Sequence, residues 1–153
     1  MRKRSKYRPK RNLLNPVGFV LESFTPVREH SSFMVDLKIK NHGAVASLMR
    51  GQGTRDDVDA LINMANVTEA LYRLGFGRDY GEIIADALQS IRTLARRGVE
   101  RGSFVMRAEE IKAINDVLEL HDAQLEVIVL KDMERAIELV NKEYEAKRTT
   151  TIL

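Results

Sequence analysis

Apolar residues recur at helical spacing through most of the chain after residue 53. Four stretches, residues 54–74, 79–97, 108–129 and 132–147, carry apolar side chains three and four positions apart, which is typical of amphipathic helices. Thr54 with Asp57 three residues later is typical of a capping box at a helix start. Four long helices with short connections predict a mainly α fold with a four-helix bundle-like core.

The chain before residue 54 has a different period. Apolar side chains alternate with polar ones in two runs, at Val17, Phe19 and Leu21 and at Phe33, Val35, Leu37 and Ile39. Alternation is the pattern of half-buried strands, so we expect a short two-stranded β segment beside the bundle. Asn41 is a candidate N-cap for a short helix that ends at Met49.

Domain boundaries follow from where apolar residues are found. Residues 1–16 have almost nothing to bury, and we expect them to form a flexible basic arm. Residues 17–147 then form a single mainly helical domain, and residues 148–153 a C-terminal tail. A length of 153 residues fits one domain.

Charge is divided unevenly along the chain. The first 11 residues hold seven basic side chains and no acidic one, whereas the remaining residues have a net charge of −4. The seven are Arg2, Lys3, Arg4, Lys6, Arg8, Lys10 and Arg11. A cationic arm on an acidic body differs electrostatically from a uniformly basic domain, because its attraction for anions is confined to one segment.

Such an arm is suited to nucleic acid. Its cations can neutralise phosphates, and Tyr7 among them can stack on a base. Four arginines in or just after the predicted helix at residues 79–97 are expected to form a second contact if they share a surface with the arm; these are Arg92, Arg96, Arg97 and Arg101. Basic arms also dock onto acidic protein surfaces or merely keep a chain in solution, and both alternatives stay open.

A glycine-containing segment before residue 55 is a further candidate for phosphate contact. Its residues are Arg50, Gly51, Gly53, Thr54 and Arg55. Backbone N–H groups at a helix start can bind phosphate, although the spacing and lysine of a P-loop are missing. The alternative is a plain linker with a threonine cap. Residues 57–74 also resemble a helix-turn-helix, but their apolar spacing continues through the supposed turn and favours one helix.

Few side chains are available for catalysis. The chain has no cysteine, which excludes disulfides, thiolate metal sites and cysteine nucleophiles. Its three histidines form no metalloprotease motif and no serine–histidine–aspartate order. We therefore expect no enzyme activity, no cofactor and no metal.

One polar stripe on the predicted third long helix is the best candidate for a metal site. It consists of Asn115, Glu119, Asp122 and Glu126, with His121 on the neighbouring apolar face. Two-metal bundle sites use paired Glu-x-x-His motifs, which are absent, so we interpret the stripe as solvated. His121 is interpreted as a histidine at the edge of the core with one hydrogen bond to its ring.

Four stretches, residues 2–10, 38–42, 66–75 and 119–125, resemble small uncharacterised proteins of proteobacterial phages and prophages. The four stretches are spread over most of the chain, but none of them is tied to an activity. The resemblance implies a phage-related protein that acts in the bacterial cytoplasm, and it assigns no functional residues.

Two functions follow as hypotheses. In the first, the helical body positions basic arms that contact DNA or RNA, and formation of a homo-oligomer would bring several arms together. In the second, the protein is an adaptor or inhibitor that binds a host or phage protein through an apolar or acidic helix face. No apolar run approaches the length of a membrane span, and no secretory signal is evident, so we expect a cytoplasmic protein without membrane contact.

Overall fold

The computed structural model describes residues 24–146, of which 82% are helical. The five α-helices are α1 (Ser31–Met49), α2 (Arg55–Arg73), α3 (Gly81–Arg101), α4 (Ala108–Val127) and α5 (Leu130–Glu145). Short 3₁₀ turns at Val27–Glu29 and Arg78–Tyr80 precede α1 and α3. The predicted mainly α class is confirmed. None of the five helices is long and apolar enough to cross a membrane.

The predicted strand at residues 33–39 is wrong, because this segment is the first half of α1. The buried face of α1 consists of Met34, Asn41, Ala44, Val45 and Leu48, which recur at helical spacing. Exposed apolar side chains on the same helix produced the misleading alternation. The short helix predicted to end at Met49 is thus the second half of a fifth long helix. The described residues contain no strand, and the first predicted strand, residues 17–21, lies outside them.

Helix α2 starts at the predicted capping box. The backbone N–H of Thr54 donates to Asp57 Oδ2 at 2.8 Å, and the N–H of Asp57 donates to Thr54 Oγ1 at 3.3 Å. From Arg55 to Arg73 the helix is continuous, so the preference for one helix over a helix-turn-helix is confirmed.

All other helices pack against α2. Ten of its nineteen residues are buried, which is why its apolar side chains cover so wide an arc. A larger core cluster joins its N-terminal half to α1, α3 and α4. A smaller cluster joins Ala70 and Leu71 to Leu125, Ile128 and Met133 at the α4–α5 connection.

The end of α3 differs from the prediction by four residues. The helix continues through Gly98 to Arg101, and Gly102, whose φ is +72°, is its C-cap. Gly98 is buried inside the helix because the Phe104 ring of the α3–α4 loop packs on its bare Cα. Gly98 therefore permits a close approach of the loop and does not stop the helix.

This contact predicts opposite effects of alanine at two mid-helix glycines. A Cβ at Gly98 would overlap the Phe104 ring, so Gly98→Ala should lower the free energy of unfolding by about 1–3 kcal/mol. A Cβ at Gly43 in α1 meets nothing within 4 Å, and Gly43→Ala should raise it by about 1 kcal/mol. Urea unfolding measures the change in the free energy of unfolding for both variants. Equal stabilisation by both alanines would contradict the packing of Phe104 on Gly98.

Candidate functional site

The cationic N-terminal segment, residues 1–11, lies outside residues 24–146. The seven arm cations, Tyr7 and the predicted tail at 148–153 therefore lie outside the described residues. Residues 24–146 hold 21 acidic and 16 basic side chains, a net charge of −5. The described body is therefore acidic, as the sequence alone indicates.

The four arginines predicted to form a second contact do not all share one surface. Arg92 and Arg96 lie one turn apart on the exposed side of α3, and Arg101 is exposed near the end of the helix. Arg97 instead faces α4, where its side chain is only 12% exposed. The guanidinium group of Arg97 is therefore turned away from the exposed side of α3.

Arg97 forms a two-pronged ion pair with Glu110 of α4. Its Nη1 and Nη2 atoms each donate to one carboxylate oxygen at 2.6 Å, and Nη2 also donates to the carbonyl of Val105 at 2.7 Å. Glu110 Oε2 accepts a further bond from the backbone N–H of Arg107 at 2.8 Å. The pair thus connects α3, the following loop and the first turn of α4.

The surroundings of this pair favour both charged forms. Burial alone would raise the pKa of Glu110, but hydrogen bonds from Arg97 and Arg107 and the nearby positive charges outweigh it and lower that pKa. The hydrogen bond from Glu110 raises the pKa of Arg97 despite partial burial. Bidentate geometry and low exposure make this an internal structural contact rather than a site for a phosphate.

The glycine-containing segment before α2 also makes contacts within the protein. Thr54 and Asp57 occupy each other's polar atoms at the start of α2, and the Asp57 carboxylate lies where an incoming phosphate would have to bind. Gly53 pairs with Phe104 in an isolated antiparallel bridge, and a Cβ there would overlap Leu48. This favours the threonine-capped linker, with Arg50 exposed beside it.

The polar stripe on α4 is only partly solvated. Asp122 Oδ2 lies 2.7 Å from His42 Nε2, and Glu126 Oε1 lies 3.3 Å from Lys38 Nζ, so both acids pair with α1. Glu119 is exposed, and Asn115 is half-buried. Within residues 24–146 no three histidine, aspartate or glutamate side chains are grouped as metal ligands.

His121 is fully inside the core rather than at its edge, at 1% exposure. The Thr68 hydroxyl donates to the carbonyl of Met64 at 2.8 Å and therefore accepts from His121 Nδ1 at 3.0 Å, which places the ring hydrogen on Nδ1. The expected hydrogen bond to the ring is present. Burial lowers the pKa of His121 to about 4, although the charge of Asp122 acts in the opposite direction.

Two other buried polar residues were missed by the sequence reasoning. Asn41 is 2% exposed in the middle of α1, so the prediction that it caps a helix is wrong. Gln124 is 3% exposed, and its Nε2 donates to the carbonyls of Thr68 and Phe76 at 3.2 and 3.0 Å. Gln124 thus ties α4 to the end of α2. A signal existed for Gln124, since it follows His121 by three positions on one helix face.

No protein-family model, no curated protein and no solved structure matches this chain.

The Arg97–Glu110 pair predicts a large, non-additive effect on stability. Arg97→Met leaves the Glu110 carboxylate buried without its partner and should lower the free energy of unfolding by about 3–5 kcal/mol. The double variant with Glu110→Leu should lose less than the sum of the two single variants. Lys112→Ala, which breaks the exposed pair with Asp116, is the control and should scarcely move the urea midpoint. Additive losses at residues 97 and 110 would contradict the pairing.

His121 predicts a loss of stability in mild acid. Its folded pKa of about 4 lies below the unfolded value of 6.5, so the unfolded chain binds the proton first. Stability is therefore complete above pH 6.5 and should fall as pH drops to 4, by about 3 kcal/mol in all. The pKa of Glu110 is lowered from its ordinary value of 4.5, so protonation of Glu110 reduces the free energy of unfolding only below about pH 4.5.

The control for this prediction is His121→Asn, which keeps a donor near Thr68 but does not titrate. Urea unfolding at several pH values should show a flatter profile between pH 6.5 and 4 in the variant than in the natural chain. Parallel profiles would show that His121 is not the group responsible.

Proposed function

We propose that this protein binds DNA or RNA through its cationic N-terminal arm, and that the helical body carries the arm without itself forming a broad nucleic-acid surface. The observation that carries the proposal is the division of charge. Seven cations and no acid occupy residues 1–11, whereas residues 24–146 have a net charge of −5. Phosphate attraction is therefore concentrated in the arm.

The contacts of the body support the same division. Arg97 is held by Glu110, and Lys38 pairs with Glu126. Asp56 and Asp57 place negative charge at the start of α2, where a phosphate would otherwise be attracted. Arg92, Arg96 and Arg101 on α3 are the proposed second contact, which would assist the arm rather than replace it.

We further propose a phage-related origin and a role in the bacterial cytoplasm. The support is the resemblance of four stretches of the chain to small phage and prophage proteins. A non-enzymatic protein that binds nucleic acid through phosphates would act by occupancy or packaging rather than by chemistry on its target.

A protein partner is the second candidate, and the outer face of α1 favours it. Val35 and Ile39 lie one turn apart there and are 53% and 66% exposed. Exposed apolar side chains grouped on one helix are a common feature of protein-binding faces. An adaptor or inhibitor would use this face for a host or phage protein.

The arm predicts strong salt dependence of nucleic-acid binding. Seven cations at about 0.9 released counterions each limit the slope of log K against log salt on duplex DNA to roughly 6. Because an arm contacts fewer phosphates at one time, we expect a slope of roughly 3–5. Replacing Arg4, Lys6 and Arg8 by glutamine should reduce the slope by about 2–3, measured by fluorescence anisotropy.

The matched control removes three exposed cations from the body, with the replacements Lys40→Gln, Arg135→Gln and Lys142→Gln. It changes the net charge equally and should leave the slope nearly unchanged. Tyr7→Ala should weaken single-strand binding more than duplex binding, because stacking needs an unpaired base. Equal effects of the arm and body replacements, or no binding at low salt, would reject the arm as the contact and favour a protein partner.

A further inference from the structure

A continuous groove runs along the surface between α3 and α4. One part has a volume of about 450 Å³, and a second part of about 350 Å³ extends it to Tyr80. Ile83 and Asp116 line both parts, so they form one groove. From Glu109 to Ala123 the α4 side of the groove is roughly 21 Å long at 1.5 Å per residue.

The groove has an apolar floor and an acidic rim. Ile83, Ala113 and Leu120 form much of the floor. Its charged side chains are Asp86, Glu109, Asp116, Glu119 and Lys112, a net charge of −3. An extended basic segment fits such a groove, because its aliphatic stems pack on the floor while its cations face the rim.

Lys112 shows the effect of the rim on a cation already within the groove. Its Nζ donates to Asp116 Oδ2 at 2.7 Å. That hydrogen bond and the Asp116 charge raise the pKa of Lys112, and Asp86 across the groove adds to the effect. A cation is therefore favoured between the carboxylates of the two helices.

The chain itself contains a complementary segment of suitable length. Residues 2–11 carry seven cations and Tyr7, with no acid among them. Ten residues of extended chain span roughly 33 Å, enough to follow the 21 Å of the groove. No other segment of this sequence has a comparable density of one charge.

The groove also lies within reach of the arm. The described chain starts at Phe24, and the carbonyl of the next residue, Thr25, accepts a bond from the N–H of Leu130 at 3.1 Å. Leu130 is seven residues beyond Ala123 at the near end of the groove, four of them in α4 and three in the extended connection, so the two are at most roughly 16 Å apart. Residues 12–23 can span at most roughly 40 Å, so the whole groove is accessible to the tethered segment.

We propose that the groove between α3 and α4 is a docking surface for the chain's own cationic segment, residues 2–11. Tethering makes the contact intramolecular, with an effective concentration in the millimolar range. The acidic rim then competes with nucleic-acid phosphates for the same cations. This regulatory consequence rests on the proposed function, whereas the docking itself does not.

The docking is tested directly by a spin label on the arm of the full-length protein. Because the chain has no cysteine, Ser5→Cys provides a single labelling site. In the absence of nucleic acid, the nitroxide should broaden backbone amide signals of residues 83–90 and 109–120, and high salt should remove the effect. Broadening elsewhere, or uniform broadening, would overturn the proposal.

A mixed sample distinguishes the chain's own arm from that of another copy. Labelled protein without ¹⁵N is combined with unlabelled ¹⁵N protein, and no groove signals should broaden. Broadening there would assign the groove to a second copy and overturn docking within one chain. A chain that docks its arm but does not bind nucleic acid would reject the proposed function alone.

Affinity measurements test the competition. Neutralising the acidic rim with Asp86→Asn, Asp116→Asn and Glu119→Gln should release the arm from the groove. If the arm is docked in about nine molecules of ten, its release should raise the affinity for DNA about tenfold. The control makes the same change in net charge on exposed residues of α5, with the replacements Glu134→Gln, Glu138→Gln and Glu145→Gln. Equal gains from both sets would indicate a general charge effect and overturn competition by the groove.

Discussion

Burial of α2 on nearly every side is the constraint on which the fold depends. Helices α1, α3, α4 and α5 all pack against it, and its residues 60–68 contain no charged side chain. The few polar groups that reach this interior therefore need partners inside the protein. Thr68 accepts from His121, and its carbonyl accepts from Gln124, so the contact between α2 and α4 is fixed by hydrogen bonds as well as by apolar packing.

Outside that core, ion pairs and one histidine–aspartate hydrogen bond hold the peripheral helices in place. Arg97 joins α3 to α4 through Glu110, while His42 and Lys38 join α1 to α4 through Asp122 and Glu126. Acids outnumber bases in residues 24–146, so pairing leaves a negative remainder on the surface. The groove between α3 and α4 contains part of it. Most of the body would repel nucleic acid because of this excess negative charge. A separate cationic arm would therefore provide the attraction for phosphates.

Much of the helical organisation after residue 54 was predictable, because amphipathic spacing and the Thr54 capping box are local signals. Helix α1 was not, since its exposed Phe33, Val35 and Ile39 alternate as strand residues do. The end of α3 was misjudged because Gly98 serves a contact with Phe104 that lies six residues away. The pairing of Arg97 with Glu110 depends on how the α3–α4 loop turns, which no local pattern specifies. Of the candidate site, only charge segregation was visible in the sequence, because the groove exists only once two helices pack.

The central claim is that the arm, rather than the body, meets nucleic acid. Ultraviolet cross-linking of the full-length protein to a DNA or RNA oligonucleotide, followed by peptide mass spectrometry, tests it most directly. We expect cross-links within residues 1–11, with Tyr7 as the preferred attachment point because a stacked ring is in contact with a base. Cross-links confined to α3 around Arg92 and Arg96, or to the outer face of α1, would contradict it.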